Sequence, residues 1–358
     1  MDELSVGTIA ALCGMLGGVV LGFAARWGRF CTLGAIEDAV LGGNTNGLRS
    51  WGIAIAVAIM GTYGLDQAGL IDVSTSFYVA TPTSILATIV GGLLFGLGMA
   101  FVGTCGFGTL ARVGGGDLKS VVTFLVMGIT AYATLRGASA YLRVALFPNP
   151  EPAENTASFA SFIARSTGID SSVAAYSIAV LLALVCFSSA SFRKDTKRIL
   201  VGVLVGLVIV WGWYGTGVIA VDEFEPYPLE NFTFSAPLGE SIMYIMTMSG
   251  AALKFGIGAV FGVVLGAFAT SLSQKHFRWE ACDDAREMRR QIKGGVLMGF
   301  GSVTALGCTV GQGLSAASVL AFSAPVAMVS IYIGAWFGLH YLIEGSAIGA
   351  LRHKFQNQ

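Results

Sequence analysis

Three cysteines recur in one setting along an apolar chain: "GGVVLGFAARWGRFCTLG" (17–34), "GGLLFGLGMAFVGTCGFG" (91–108) and "GGVLMGFGSVTALGCTVG" (294–311). Each stretch reads Gly-Gly, a glycine four residues after the second, a cysteine fourteen after the first, and a glycine three after the cysteine. Cys31, Cys105 and Cys308 are therefore equivalent positions. With 49 glycines in 358 residues, one such glycine match has a chance of about one in seven, so three full sets mark an internal repeat. A fourth copy, "FGVVLGAFATSLSQKHF" (261–277), keeps Gly262 and Gly266 and has Lys275 where the cysteine would fall.

The chemistry open to three such thiols is narrow. A cysteine in an apolar helix is ordinarily a small buried filler, and Cys13 and Cys186 are read that way. Cys282, in a charged loop, is read as an incidental exposed thiol. No CxxC or Cys/His spacing is present, and His276, His340 and His353 lie near a charged loop or the last apolar run, so no metal and no cofactor is expected. No histidine or carboxylate lies within a few residues of a repeated cysteine, except Glu37 and Asp38 after Cys31, which gives little basis for an activated thiolate. A neutral thiol in a low-dielectric site donates a weak hydrogen bond and presents a polarizable atom. That combination suits contact with a soft sulfur anion.

These thiols need particular elements to position them. The second glycine of each copy and the glycine four residues on (Gly18/Gly22, Gly92/Gly96, Gly295/Gly299, and Gly262/Gly266 in the fourth) are small-xxx-small pairs, which let helices pack closely in lipid. Thirteen residues separate the second glycine from the cysteine, about 20 Å of helix, which places the thiol deep. The glycines around the cysteines (Gly34, Gly103, Gly106, Gly108, Gly307, Gly311 and Gly313) read as helix breaks, where a residue takes positive φ or leaves backbone groups unpaired. Such backbone is tolerated at membrane depth only when buried in protein or lining a polar path. A short half-helix is expected after each break, for example over 315–322, aiming free N–H groups toward the cysteine. Arg29, Arg112 and Lys275 are placed to gather anions at the mouths, the alternative being an orienting or snorkelling role.

Composition fixes the setting. Of the residues 54% are hydrophobic and only 12% charged, with zero formal net charge, which excludes a soluble globular enzyme. The fold class is all-α: a polytopic membrane protein with spans near 6–25, 49–71, 84–103, 118–136, 171–192, 199–220, 252–273, 292–306 and 322–343, nine in all, plus re-entrant half-helices. The start "MDELSVG" is acidic and lacks the features of a secretory leader, so the first span is kept. "SFRKDTKRI" (191–199) and "SQKHFRWEACDDAREMRRQIK" (273–293) hold many of the basic residues, while "GLDQAGLIDV" (64–73) and "DEFEPYPLE" (222–230) are acidic. The positive-inside rule puts the first pair in the cytoplasm, which leaves the N-terminus and 147–159 outside and "LRHKFQNQ" inside. One integral membrane domain, 1–358, is expected, with an N-terminal half 1–136, a variable connection 137–195 and a C-terminal half 196–358 in pseudo-symmetric, inverted relation.

"GRFCTLGAIEDAVLGG" (28–43), "GTCGFGTLARVGGG" (103–116), "HFRWEACDD" (276–284) and "GGVLMGFGSVTALGCTVGQGLSAASVLA" (294–321) resemble the YeeE/YedE family of sulfur-transport membrane proteins over most of the chain outside 137–195. The resemblance implies about nine spans with half-helices entering from both faces and a path narrowing at the centre. It also implies thiosulfate import through the inner (cytoplasmic) membrane. The family's three functional cysteines fall on Cys31, Cys105 and Cys308, which would relay the ion through transient S–H···S contacts. A cytoplasmic TusA-like sulfurtransferase is an implied partner. The acidic pair after Cys31, in "TLGAIED", is a departure from a family pattern that is often more basic there.

The function expected is thus non-enzymatic transport of thiosulfate or a related small sulfur anion. A covalent sulfane-sulfur handler or sensor is the alternative, and a solute pore with packing cysteines a third reading. No nucleotide-binding loop is present and no nucleic acid is expected as a partner. Glu344 and Lys254, near span ends, read equally as interfacial and give no coupling ion.

Overall fold

The computed structural model describes residues 5–81, 84–148, 158–222, 227–281 and 284–345. Cys282, His353, the tail 351–358, and parts of the N-terminal stretch, of the 147–159 connection and of the acidic 222–230 loop lie outside the described residues. In chain order the helices are α1 Val6–Trp27, α2 Thr32–Val40, α3 Asn46–Gln67, α4 Phe77–Ala80, α5 Ile85–Val102, α6 Gly106–Gly114, α7 Leu118–Arg136 and α8 Ala138–Leu146. They continue as α9 Phe159–Thr167, α10 Ser171–Phe187, α11 Ala190–Lys194, α12 Thr196–Tyr214, α13 Ala236–Thr247, α14 Phe255–Ser273, α15 Ala285–Thr304 and α16 Ser323–Glu344. Residues 309–318 form a further short helix whose middle, Gly311–Ala316, is widened into π turns. The protein is all-α: among the described residues only two isolated β-bridges occur.

Each of the nine expected spans falls on a helix. Seven stretches are long and apolar enough to cross a membrane on their own, and α9 with α10, bent by 118° at their junction, make an eighth. The remaining one, α15, starts seven residues before the expected span with "AREMRRQIK", and its charged first turns set it apart from the apolar seven. Asp284 caps it by accepting the Arg286 N–H at 2.8 Å, and Asp117 caps α7 likewise through Lys119 at 2.9 Å.

Glycines hold the bundle together in two sets. Gly14, Gly18 and Gly22 of α1 face Gly258, Gly262 and Gly266 of α14 along parallel axes; a Cβ on Gly18 would lie 2.5 Å from Ala259 O and 3.1 Å from the Gly262 Cα. In the second set α5 runs antiparallel to α15, with Gly91 against Gly301 and Gly98 against Gly294, and parallel to α16, where Gly92 and Gly96 meet Ala327, Ser330 and Ile331. The first repeat therefore packs on the fourth and the second on the third, so both seams join helices that precede residue 103 to helices that follow residue 254. The backbones approach so closely because no side chain stands between them, and dispersion at that range drives association in lipid.

The two basic segments share one face, since Lys197 and His276 line one cavity, and the two acidic loops share the other, since Asp72 and Tyr227 line another. A side chain added in the α1–α14 seam has no room. Gly262→Leu is expected to destabilise the protein by about 3 kcal/mol or more, read as loss of thermal stability in detergent, whereas Gly250→Ala, with open space around it, leaves the melting temperature unchanged.

Candidate functional site

Each repeat helix ends the same way. Two residues before each cysteine the backbone turns left-handed: Arg29 at φ 51°, Gly103 at φ 82° and Leu306 at φ 57°. The fourth copy ends on Lys275 at φ 55°. After α15 the Gly307 N–H bonds Ser302 O at 2.8 Å and the Leu306 N–H bonds Val303 O at 3.2 Å; after α14 the His276 and Lys275 N–H groups repeat this pattern on Ser271 and Leu272. These are Schellman closures, which satisfy the last carbonyls of a helix that stops inside the protein. The glycine-rich sequence suggested breaks, but only Gly103 is a glycine in the strained position. Gly106, Gly108 and Gly311 serve close approach instead: a Cβ on Gly106 would lie 2.8 Å from Met127 Cε, one on Gly108 would strike the Thr104 hydroxyl, and one on Gly311 would lie 3.0 Å from the Tyr78 hydroxyl. Gly307 carries the closing N–H, Gly313 packs on Met328 and Trp51, and Gly34 sits beside the Cys31 side chain.

A new helix begins directly after every one of these cysteines. Cys31 and Cys105 are the residues just before α2 and α6, both in extended conformation, and Cys308 directly precedes the 309–318 helix. That last half-helix starts six residues earlier than expected, because the chain resumes helical turns at Thr309 and not at Ser315. α6 leads back to the basic face, where Leu118 N–H bonds Glu280 O at 3.0 Å. The 309–318 helix leads toward the opposite side, where Phe159 N–H bonds Leu320 O at 2.9 Å. Helix N-termini thus converge on the cysteines from both faces.

The three sulfurs form one cluster. Cys105 and Cys308 are fully buried, and Cys31 is partly exposed. The Cys31 sulfur is 3.9 Å from the hydroxyl of Thr104, the residue before Cys105. Cys105 is within electrostatic reach of both other cysteines, and Thr309, directly after Cys308, has its hydroxyl beside it without a hydrogen bond of normal geometry. Met127, at the midpoint of the membrane-length helix α7, packs against Gly106, so this level lies about halfway along that helix. The Cys308 sulfur accepts the Phe234 N–H at 3.2 Å and the Gly311 N–H at 3.5 Å. The Phe234 ring also packs tilted against Phe107, at 5.4 Å between centroids. With its lone pairs engaged by backbone donors, the Cys308 thiol is left to donate its own proton.

Cavities flank the cluster on both faces. On the basic face one of about 650 Å³ reaches Cys31 and Thr104 and is ringed by Arg26, Arg29, Arg112, Lys197 and His276. A neighbouring recess of about 440 Å³ shares Cys31 and Arg29 and adds Trp51, whose buried Nε1 has no partner. On the acidic face a cavity of about 300 Å³ is lined by Tyr78, Thr233, Glu230 and Gly307. Thr233 brings that cavity within 4.0 Å of the Cys308 sulfur. Burial pushes the Glu230 carboxyl up from its ordinary range, partly offset by the hydrogen bond it accepts from the Tyr227 hydroxyl. Among the described residues no group of histidine, cysteine or carboxylate side chains is arranged to hold a metal ion.

The expected cations divide. Arg29 lines both basic-face cavities, whereas Arg112 donates to Gly103 O at 2.6 Å and so also braces the break before Cys105. Lys275 is exposed and closes α14; its neighbours Gln274 and His276, and not Lys275, line the vestibule. Sequence reasoning missed Arg26, Lys197, Thr104, Thr233, Phe234 and Tyr78. Phe234 lies far from any cysteine in the chain and carries no repeat signal; Thr104, directly before Cys105, and Arg26, five residues before Cys31, were the two within sight of the motif. The left-handed position makes its own forecast: Arg29→Gly and Arg29→Val both remove the charge, but only valine strains the turn. The valine variant is expected to unfold with about 1–2 kcal/mol less stability than the glycine variant in denaturant titrations.

Residues 27–337 match the family described as sulphur transport. The chain is 26% identical over 345 residues to the "Thiosulfate transporter TsuA" of Escherichia coli (strain K12), covering 91% of this chain and 92% of that protein. It is also 26% identical over 342 residues to the protein of the same name from Spirochaeta thermophila (strain ATCC 700085 / DSM 6578 / Z-1203), covering 90% and 96%. With all three cysteine breaks inside the matched region, the chain belongs to the sulphur transport family.

Proposed function

We propose that this protein is a transporter that carries thiosulfate across the cell's inner membrane, from the acidic-face cavity past Cys308, Cys105 and Cys31 into the basic vestibule. In this reading the basic face is cytoplasmic, with the N-terminus outside and the C-terminus inside. The observation that carries it is the placement of each cysteine directly before a helix start, with Cys105 between the other two. A dianion crossing low dielectric needs partners all along its way, and each must release it. Helix N-termini supply partial positive charge, about half an elementary charge, without a fixed cation. No Lys, Arg, Asp or Glu is among the fully buried side chains of the described residues, so nothing at the centre would trap or repel the ion. The thiols add short-lived, weak S–H donation to the terminal sulfur, each contact worth about 1 kcal/mol, so that each releases the ion readily. The names of the two relatives support thiosulfate as the cargo. A TusA-like sulfurtransferase receiving it at the basic vestibule belongs to the same proposal.

Cys105→Ala and Cys308→Ala are expected to abolish uptake of labelled thiosulfate while the protein still inserts and melts normally. Unimpaired uptake would contradict the proposal. In the parent protein the intact mass after turnover is expected to be unchanged; an adduct of substrate-derived mass on Cys31 or Cys308 would point to covalent sulfur transfer instead.

A further inference from the structure

Beyond the cysteines, the basic vestibule contains an arginine with nothing to hold. Arg26 stands near the end of α1; its Nε is buried without a partner, and among the described residues it makes no hydrogen bond and no ion pair. A buried donor left unpaired in a native fold calls for a specific explanation. Its guanidinium occupies the space where Gly115 has no side chain: a Cβ there would coincide with the Arg26 Nη2. Glycine at 115 therefore makes the seat. Arg112, on the last turn of α6, is close enough for the two like charges to interact, and it spends one donor on Gly103 O.

The acidic groups nearby, Asp117, Glu280 and Glu287, line the smaller of the two cavities that this pair shares and offset its charge only in part, because two of them are engaged elsewhere. Asp117 is engaged in capping α7 through Lys119, Ser120 N–H and the Ser120 hydroxyl, and Glu287 pairs with Lys119 at 3.2 Å. Glu280 is within electrostatic range of Arg26 but forms no ion pair with it among the described residues. Arg26 and Arg112 line both the 650 Å³ cavity that reaches Cys31 and a second one of about 360 Å³ behind it.

We infer that Arg26 and Arg112, with Gly115 making room, form an anion-binding site at the inner end of the path that takes a small divalent oxyanion such as thiosulfate or sulfate. A dianion matches two guanidiniums in charge, and the planar fork suits paired oxygens. The site catches the ion one step beyond Cys31, while Arg29, Lys197 and His276 add positive potential at the rim. Only the identity of the physiological anion rests on the transport reading; the existence of the site does not.

The test uses Cys31 as reporter in purified full-length protein in detergent, in a Cys282→Ser background, with Cys31→Ala to assign the label. The ratio of its alkylation rates with anionic iodoacetate and neutral iodoacetamide measures local positive potential. Arg26→Gln is expected to lower that ratio about three- to tenfold and to remove the protection that sulfate gives against iodoacetate; Arg26→Lys keeps most of both. Gly115→Ala, which leaves both charges but fills the seat, is expected to remove sulfate protection too. A ratio and sulfate protection unchanged in Arg26→Gln, or protection retained in Gly115→Ala, would overturn the inference. If Cys105→Ala and Cys308→Ala transport normally, the relay fails but this ratio is untouched, so the two outcomes are separable.

Discussion

Backbone-to-backbone contact through glycine is the constraint on which the rest depends. A helix that stops in mid-membrane exposes N–H and C=O groups that hydrocarbon cannot satisfy, so its broken end must be enclosed by protein. α1 against α14, and α5 against α15 and α16, bring helices close enough to enclose the breaks. The Schellman closures then satisfy the outgoing carbonyls, and the first turns of the following half-helices face the cysteines, with the Gly311 N–H donating to the Cys308 sulfur. The same close contacts that exclude lipid also enclose the helix starts that follow the cysteines.

In the proposed transport reading, the charge distribution gives the path its direction. One flanking cavity carries Glu230 and Tyr78, the other Arg26, Arg29, Arg112 and Lys197, and between them the buried residues are neutral. An anion moving toward the basic vestibule descends in potential, and arginines there are tempered by neighbouring Asp117, Glu280 and Glu287, which also line the basic face. The neutral centre prevents a deep minimum midway. Release is then set by the vestibule, where water and mobile counter-ions screen the charges.

Much of this was legible in the sequence because the repeat is written in residues with few alternatives. The Gly-Gly and cysteine spacing singled out three cysteines that lie near one another in the structure, each directly before a helix start. What stayed hidden has physical reasons. Arg29 and Leu306 adopt left-handed backbone although neither residue type advertises it, since the closure of the preceding helix and not local preference sets φ there. The start of the last half-helix was misplaced because "TVGQG" reads as continued breakage, yet the surrounding contacts hold it helical with widened turns. Phe234, whose N–H meets Cys308, comes from an extended segment between α12 and α13 with no periodicity to mark it. The start of α15 was placed seven residues late, because its charged first turns carry no apolar signal, while the expected part of the helix packs its glycines on α5.

The central claim is that neutral thiols at converging helix N-termini pass a soft sulfur anion. It is tested most directly by comparing thiosulfate and sulfate transport by the purified protein in liposomes at equal concentration. Both ions have the same charge and similar shape, but only thiosulfate presents a terminal sulfur to the thiols. The account predicts that thiosulfate moves at least about tenfold faster, the equivalent of about 1.4 kcal/mol at the barrier; equal rates for the two ions would contradict it.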